Sequence, residues 1–307
     1  MAKLKELALP KEKFVGGHRG CAGCGAAIIA RQVLMAAENP VVVGCATGCL
    51  EVFSTIYPYS AWKVPYIHNA FENVAATMAG VEAAYKALKR KGKITKDLRF
   101  IAFGGDGGTY DIGLQALSGM IERRHRVLYV CYNNEAYMNT GIQRSSATPR
   151  GAHTTTSPAG KVIPGKPQLR KNLTEIVIAH EPAYAAQTTF AYWNDLVTKV
   201  RKALNADGPS FLNIYAPCRL GWAYPPEKTV KISKLAVETC IWPLYEYENG
   251  KYRITVKPKE KKPITEFLKL QGRFNHLFKW KDQLPIQEFQ KEVDYIWERL
   301  LKRAEAS

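Results

Sequence analysis

Arg99-Phe-Ile-Ala-Phe-Gly104-Gly105-Asp106-Gly107-Gly108, followed downstream by Val127-Leu-Tyr-Val-Cys-Tyr-Asn133-Asn134, decides the fold. Each stretch is a short apolar run stopped by a glycine-rich or polar turn, the pattern of a strand buried on both faces. Between them Ile112, Ala116, Leu117, Met120 and Ile121 recur at helical spacing, with Asp111 placed to cap that helix. Working outward, Pro40-Val-Val-Val-Gly-Cys-Ala46 reads as an earlier strand ending in Thr47-Gly48-Cys49, and the Ala-rich stretch from Asn73 to Arg90 as a helix. Downstream come a helix from Asp195 to Leu204, a Gly208-Pro209 turn, and a strand from Phe211 to Ala216 that ends in Pro217-Cys218. Strands alternating with helices predict an α/β fold, a mostly parallel sheet with helices on both faces. Ligands of such sheets bind beyond the carboxyl ends of the strands. Cys49, Asp106, Asn134 and Cys218 each stand just past a strand end, so parallel strands would gather all four at one edge.

The rest of the chain is less regular. Ala147 to Lys171 is rich in Thr, Ser, Pro, Gly and Lys and reads as a long loop, of the kind that is usually functional or mobile. Residues 1–250 are expected to form the α/β domain, and 251–307 a basic C-terminal extension. In the extension's last helix Ile286, Phe289, Val293, Ile296, Trp297 and Leu300 share a face that should dock on the body or on another subunit.

The 307 residues are 46% hydrophobic, enough for a packed core along most of the length. No run reaches the roughly 18–20 apolar residues of a membrane span, and Met1 to Phe14 lacks the apolar core of a signal peptide. The sequence therefore reads as a soluble, cytoplasmic protein. Lys and Arg number 44 against 27 Asp and Glu, a net charge of +17, densest from Lys251 to Lys281. A solvated basic face or an acidic protein partner would account for it. No zinc-finger, RRM or KH pattern points to nucleic acid. Seven cysteines without an export signal favour metal or redox chemistry over disulfides.

Gly105-Asp106-Gly107 at a strand end allows the backbone to approach a phosphate, and Asp106 offers a hard carboxylate oxygen suited to Mg²⁺. Asn134, ending the next strand 28 residues on, can add a side-chain carbonyl on the same edge. The Cys21-Ala-Gly-Cys24 pair could be half of a zinc site, a thiol–disulfide motif or part of an iron–sulfur site. Spacing alone would nominate Cys45 and Cys49 as its complement. Cys45, however, falls inside a strand where its side chain should pack, whereas Cys49 and Cys218 occupy matching places beyond strand ends. Cys131 and Cys240 read as buried thiols.

Gly-Asp-Gly followed by Asn-Asn resembles the thiamin diphosphate signature. In that family the aspartate, the second asparagine and a carbonyl two residues further bind Mg²⁺, which here implies Asp106, Asn134 and the carbonyl of Ala136. Gly17-His-Arg-Gly-Cys-Ala-Gly-Cys-Gly25, Ala46-Thr-Gly-Cys-Leu-Glu-Val-Phe-Ser-Thr55, Ala61-Trp-Lys-Val-Pro65, Phe103-Gly-Gly-Asp-Gly-Gly108, Asn134-Glu-Ala-Tyr-Met-Asn-Thr-Gly-Ile-Gln143 and Ala216-Pro-Cys218 look like the β subunit of pyruvate:ferredoxin oxidoreductase and its 2-oxoacid relatives. The likeness implies the diphosphate-binding type of thiamin fold, a C-terminal helical extension, and a [4Fe–4S] cluster held by Cys21, Cys24, Cys49 and Cys218, with Cys45 a fallback ligand. It further implies cofactor contacts from Thr47, Gly48, Cys49, Gly104, Gly105, Asp106, Gly107, Asn134, Ala136, Asn139 and Thr140. Asn139 would lie at the reacting carbon, where its amide could meet a developing oxyanion.

By the same resemblance the reaction is oxidative decarboxylation of a 2-oxoacid, pyruvate by default. Electrons would pass through the cluster to ferredoxin, and the acyl group to coenzyme A. The glutamate that activates thiamin belongs in this family to a pyrimidine-binding α subunit. Ferredoxin-type cysteine runs are absent from this chain. Partners are therefore expected: that α subunit, with γ and ferredoxin-like δ subunits or their fused equivalents. Other 2-oxoacids (branched-chain, 2-oxoglutarate, oxalate) fit the same pattern. The rival readings are a non-oxidative thiamin enzyme with structural zinc, and a basic scaffold binding RNA or an acidic protein.

Overall fold

A computed structural model describes Leu7, residues 12–280 and residues 283–307. Most of Met1–Phe14, the stretch expected to lack a signal peptide, lies outside these residues, as does Lys281. Eight strands form one sheet: β1 (Val41–Ala46), β2 (Tyr66–Asn69), β3 (Arg99–Gly105), β4 (Leu128–Asn133), β5 (Tyr184–Thr189), β6 (Ser210–Tyr215), β7 (Leu244–Glu248) and β8 (Lys251–Val256). Their spatial order is β2-β1-β3-β4-β6-β5-β7-β8. The first six run parallel, while β7 and β8 add an antiparallel edge.

The strands hold their places because both faces are covered. Along β3, Ile101 and Phe103 point into one apolar layer, and Phe100 and Ala102 into the other. β4 alternates likewise, with Leu128, Val130 and Tyr132 on the first side and Tyr129 and Cys131 on the second. Helices Gly25–Ala36 and Trp193–Asn205 cover the first face. The second face is covered by Val74–Arg90, Leu114–Glu122, Leu173–Ile178 and Thr229–Glu238, and by the tail. This is the expected mostly parallel α/β sheet with helices on both faces.

Chain direction along the sheet reverses at β1, whose neighbours are β2 on one side and β3 on the other. A crevice opens at the carboxyl ends of strands where such a switch occurs. The loops beyond β1 and β3 begin at Thr47 and Asp106, so the switch point falls among the residues that carry the sequence motifs.

One local expectation is corrected. Asp111 does not cap the following helix. Gly107–Ile112 forms a π-helical turn, and Gly113 precedes the helix Leu114–Glu122. Asp111 Oδ2 instead accepts from Tyr137 Oη at 3.2 Å and from the Ser146 amide at 3.1 Å, tying the turn to the long loop. Part of the long loop is packed. Lys166 is buried and donates to the carbonyls of Thr148 at 2.5 Å and Leu169 at 3.2 Å.

The expected boundary after residue 250 falls in the turn between β7 and β8, two paired strands of the same sheet. The final helix, Leu284–Glu305, turns Ile286, Phe289, Val293, Trp297 and Leu300 into the same apolar cluster as Phe211 and Tyr215. It docks on the body of this chain. Among the described residues, no helix is long and apolar enough to cross a membrane.

Candidate functional site

The diphosphate turn is built where β3 stops. Asp106 is buried, its Oδ1 accepting from the Asn134 amide at 3.1 Å and its Oδ2 from Ser145 Oγ at 2.5 Å. Burial pushes its carboxyl up to about 7, against the hydrogen bonds from Ser145 and Asn134, which favour the charged form. The Asn134 carboxamide has one end 2.9 Å from Asp106 Oδ1 and 2.8 Å from the carbonyl oxygen of Ala136. With its nitrogen there it donates to both. With its oxygen there, three oxygens converge and only a cation satisfies them. An all-oxygen set of one carboxylate and two carbonyls is what Mg²⁺ takes alongside phosphate oxygens. The residues present fit that ion.

Close approach explains the glycines. A Cβ on Gly107 would enter the ring of Tyr137, whose hydroxyl donates to the Gly107 carbonyl at 2.9 Å. Gly48, beyond β1, adopts φ 159° and ψ −172°, and a Cβ there would lie 2.7 Å from the Tyr132 hydroxyl. Thr47, Gly48, Cys49, Gly105, Asp106, Gly107, Asn134, Ala136, Asn139 and Thr140 all line one cleft. Phe71, Gly108, Tyr132, Tyr137 and Met138 complete its walls. Of the expected cofactor contacts, Gly104 alone is not brought there. It lies within β3, and a Cβ on it would meet the Tyr129 hydroxyl instead. Asn139 and Thr140 stand exposed at the cleft mouth.

The cysteines gather on the same edge. Cys24 begins the helix Gly25–Ala36, and its amide donates to the carbonyl of Cys21 at 3.0 Å. A Cβ on Gly25 would strike the Ala216 backbone at 2.9 Å, so the Cys21–Cys24 loop lies directly against the segment leading to Cys218. Cys49 opens the helix Cys49–Ser54. Burial, then the negative charges of Cys218, Cys24 and Cys21, push its thiol up to about 12. Burial likewise raises Cys24 and Cys218. Thiols that raise one another in this way favour the neutral form until a cation draws them into ligation. Among the described residues, no three or more His, Cys, Asp or Glu side chains are arranged to hold a metal ion. Cys45 is apart from this group. It is fully buried in β1, and its Sγ faces the carbonyl of Ala46 at 3.6 Å. Cys131 and Cys240 are buried as well.

The family described as thiamine pyrophosphate enzyme, C-terminal TPP binding domain, matches residues 42–214, more than half of the chain. The pyruvate synthase subunit PorB of Thermotoga maritima is 59% identical over 99% of this chain and 97% of its own length. The chain belongs to the β subunits of the 2-oxoacid:ferredoxin oxidoreductases. Among other members, PorB of Methanocaldococcus jannaschii is 55% identical, covering 94% of this chain and 96% of its own. The ketoisovalerate oxidoreductase subunit VorB of Pyrococcus abyssi is 48% identical, covering 98% and 96%. A solved 2-oxoglutarate:ferredoxin oxidoreductase from Magnetococcus marinus superposes with a TM-score of 0.56 at 21% identity, over 67% of this chain and 66% of that one, and shows the shared fold. As a 2-oxoacid:ferredoxin oxidoreductase subunit, the chain is part of an enzyme with further subunits, not a free-standing scaffold.

Several residues that support this β-subunit site carry no motif. Ser145 holds the Asp106 carboxylate, and Thr148 Oγ1 donates to the Glu135 carbonyl at 2.6 Å. Glu135 itself, a charge directly after the Asn133-Asn134 strand end, was the one visible signal. Its partners Arg170 and Arg273 lie too far along the chain to be read from spacing.

Proposed function

We propose that this chain binds the diphosphate–Mg²⁺ end of thiamin diphosphate, through Asp106, Asn134 and the Ala136 carbonyl, and carries a [4Fe–4S] cluster on Cys21, Cys24, Cys49 and Cys218. The observation that carries the proposal is the convergence of an all-oxygen donor set and four thiols at one sheet edge, on either side of the Thr47-Gly48-Cys49 loop. Bound thiamin diphosphate would supply the electron sink for decarboxylating a 2-oxoacid. The chain's own residues do the rest. Asp106 and Asn134 fix the metal and with it the diphosphate. Gly48 and Gly107 let the backbone close on the cofactor. The exposed Asn139 amide is placed to meet developing negative charge at the cleft mouth. The mutual influence of Cys24, Cys49 and Cys218 with one another and with Cys21 supports these four as the ligands of one cluster.

Pyruvate is the proposed substrate, supported by the PorB relatives, with a branched-chain 2-oxoacid second because of the VorB relative. Coenzyme A would take the acyl group and ferredoxin the electrons. A pyrimidine-binding α subunit and the γ and δ subunits complete the assembly, in the cytoplasm. The test is anaerobic purification of the whole complex, with a visible spectrum, iron, sulfide and thiamin assays and a panel of 2-oxoacids. About four iron and four sulfide per cluster on this chain, with bound thiamin diphosphate and pyruvate turned over fastest, is the expected result. Colourless protein containing zinc would remove the electron-carrying half. Asp106→Ala should purify without thiamin diphosphate, and normal thiamin content in that variant would refute the metal assignment.

A further inference from the structure

The turn between Asn134 and Ala136 is held in a conformation that its sequence does not favour. Glu135 has φ +66°, the left-handed region that non-glycine residues avoid. Its side chain is also fully buried, which a carboxylate tolerates only when paired. Arg170 donates to Oε1, and Arg273 Nη2 donates to Oε2 at 2.5 Å. The Arg273 guanidinium lies 3.7 Å above the ring of Trp222, and the Trp222 indole Nε1 donates to the carbonyl of Asn134 at 2.9 Å. Trp222 is fully buried, and its backbone belongs to the other site: its amide donates to the carbonyl of Cys218 at 2.9 Å. The neighbouring Gly221 amide donates to Cys218 Sγ at 3.5 Å.

One side chain therefore grips the metal turn while its own backbone closes the cysteine loop. We infer that Glu135, Arg273 and Trp222 form a bracket that couples the two cofactor sites, so that binding of thiamin diphosphate and Mg²⁺ secures the cluster and the cluster tightens the thiamin site. The inference rests on the two sites proposed above. Its physical basis is that a cation pulling on the Asn134 carboxamide and the Ala136 carbonyl fixes the Asn134 peptide. That peptide is the acceptor Trp222 needs to stay in place over the Cys218 loop. Coupling of this kind is reciprocal by thermodynamic necessity. Glu135, Arg273 and Trp222 are positioning residues, since none of them lines the cleft.

The experiment uses the complete complex, purified anaerobically, and follows the visible absorbance of the cluster during challenge with an iron chelator. Complex stripped of thiamin diphosphate is compared with the same complex reloaded with thiamin diphosphate and Mg²⁺. In the wild type, reloading should slow bleaching by about five-fold or more, the worth of one well-placed buried hydrogen bond. Trp222→Phe keeps the packed ring and removes the indole N–H. It should still take up both cofactors, yet reloading should change its bleaching by less than about two-fold. If Trp222→Phe does not assemble, Arg273→Lys serves: it keeps the charge beside Glu135, loses the planar stack on Trp222, and should lose the protection. Equal bleaching of stripped and reloaded wild type, or full protection in the assembled variant, overturns the coupling while leaving both sites intact. Wild-type complex with no visible absorption overturns the cluster itself, and the coupling with it.

Discussion

Cys45 and Cys49 sit four residues apart, yet their surroundings differ. Cys45 has its thiol sealed in the apolar layer under β1, and no other cysteine shifts it. Cys49 lies past the strand end and senses Cys218, Cys24 and Cys21. Cys218→Ala should accordingly strip or destabilise the cluster, whereas Cys45→Ala should leave it intact. Iron content and visible absorbance of the two purified variants check this, and intact absorbance in Cys218→Ala with loss in Cys45→Ala would reverse the choice. The distinction was legible in the sequence because a strand pattern says which thiols point into a core. Glu135 was not legible in the same way. A charge next to a motif announces itself, but nothing nearby says that Arg273, 138 residues on, neutralises it.

At the scale of elements, β1, β3, β4 and β6 could be read because they are apolar runs closed by Gly, Asn or Pro. Others escaped for identifiable reasons. β2 is four residues long and follows Pro65 at the sheet edge. β5 reads Tyr-Ala-Ala-Gln-Thr-Thr, without apolar periodicity, and is buried all the same. Its polar groups are satisfied internally: Gln187 bonds Thr174 and the Pro243 carbonyl, and Thr188 bonds Asp195. The β7–β8 hairpin was hidden in a charged, Tyr-rich stretch. Its anchor is Glu246, buried beside β5, where it accepts from Tyr184 Oη at 2.6 Å, Lys202 at 3.0 Å and Arg253 Nε at 2.6 Å. Burial alone would raise this carboxyl. The bonds from Tyr184, Lys202 and Arg253 outweigh it and hold it below the usual glutamate range. A depressed carboxyl contributes stability above its ordinary pKa and loses it as pH falls through the depressed value. The melting-temperature gap between wild type and Glu246→Gln should therefore be widest near neutrality and close on acidification below about pH 4. A gap independent of pH would count against Glu246 as a charged anchor.

At the scale of the whole molecule, the sheet provides one wall of a cleft. Val52, Ile67 and Ile112 are large apolar side chains left exposed on elements that flank it, with Tyr57 and Tyr59 exposed in the next loop. A surface of this kind on an enzyme subunit is cover for a partner. The isolated chain should hence show no 2-oxoacid-dependent reduction of ferredoxin or a dye, and recombining it with the remaining subunits should restore turnover. Full activity from the chain alone would remove the need for a second wall.

Thr47, Gly48 and Cys49 are consecutive residues: the first lines the cleft, the second passes extended and close to the Tyr132 hydroxyl, and the third offers its sulfur to the neighbouring cysteines. No more than about 10 Å of extended backbone can separate the first from the third. A donor bound in the cleft and an acceptor bound to that sulfur would thereby be held within electron-tunnelling range by covalent structure, on a loop rooted in a strand paired on both sides. The first electron hop should then proceed at a rate indifferent to solvent viscosity, leaving only the later exchange with a diffusing carrier to be slowed by a thickened medium.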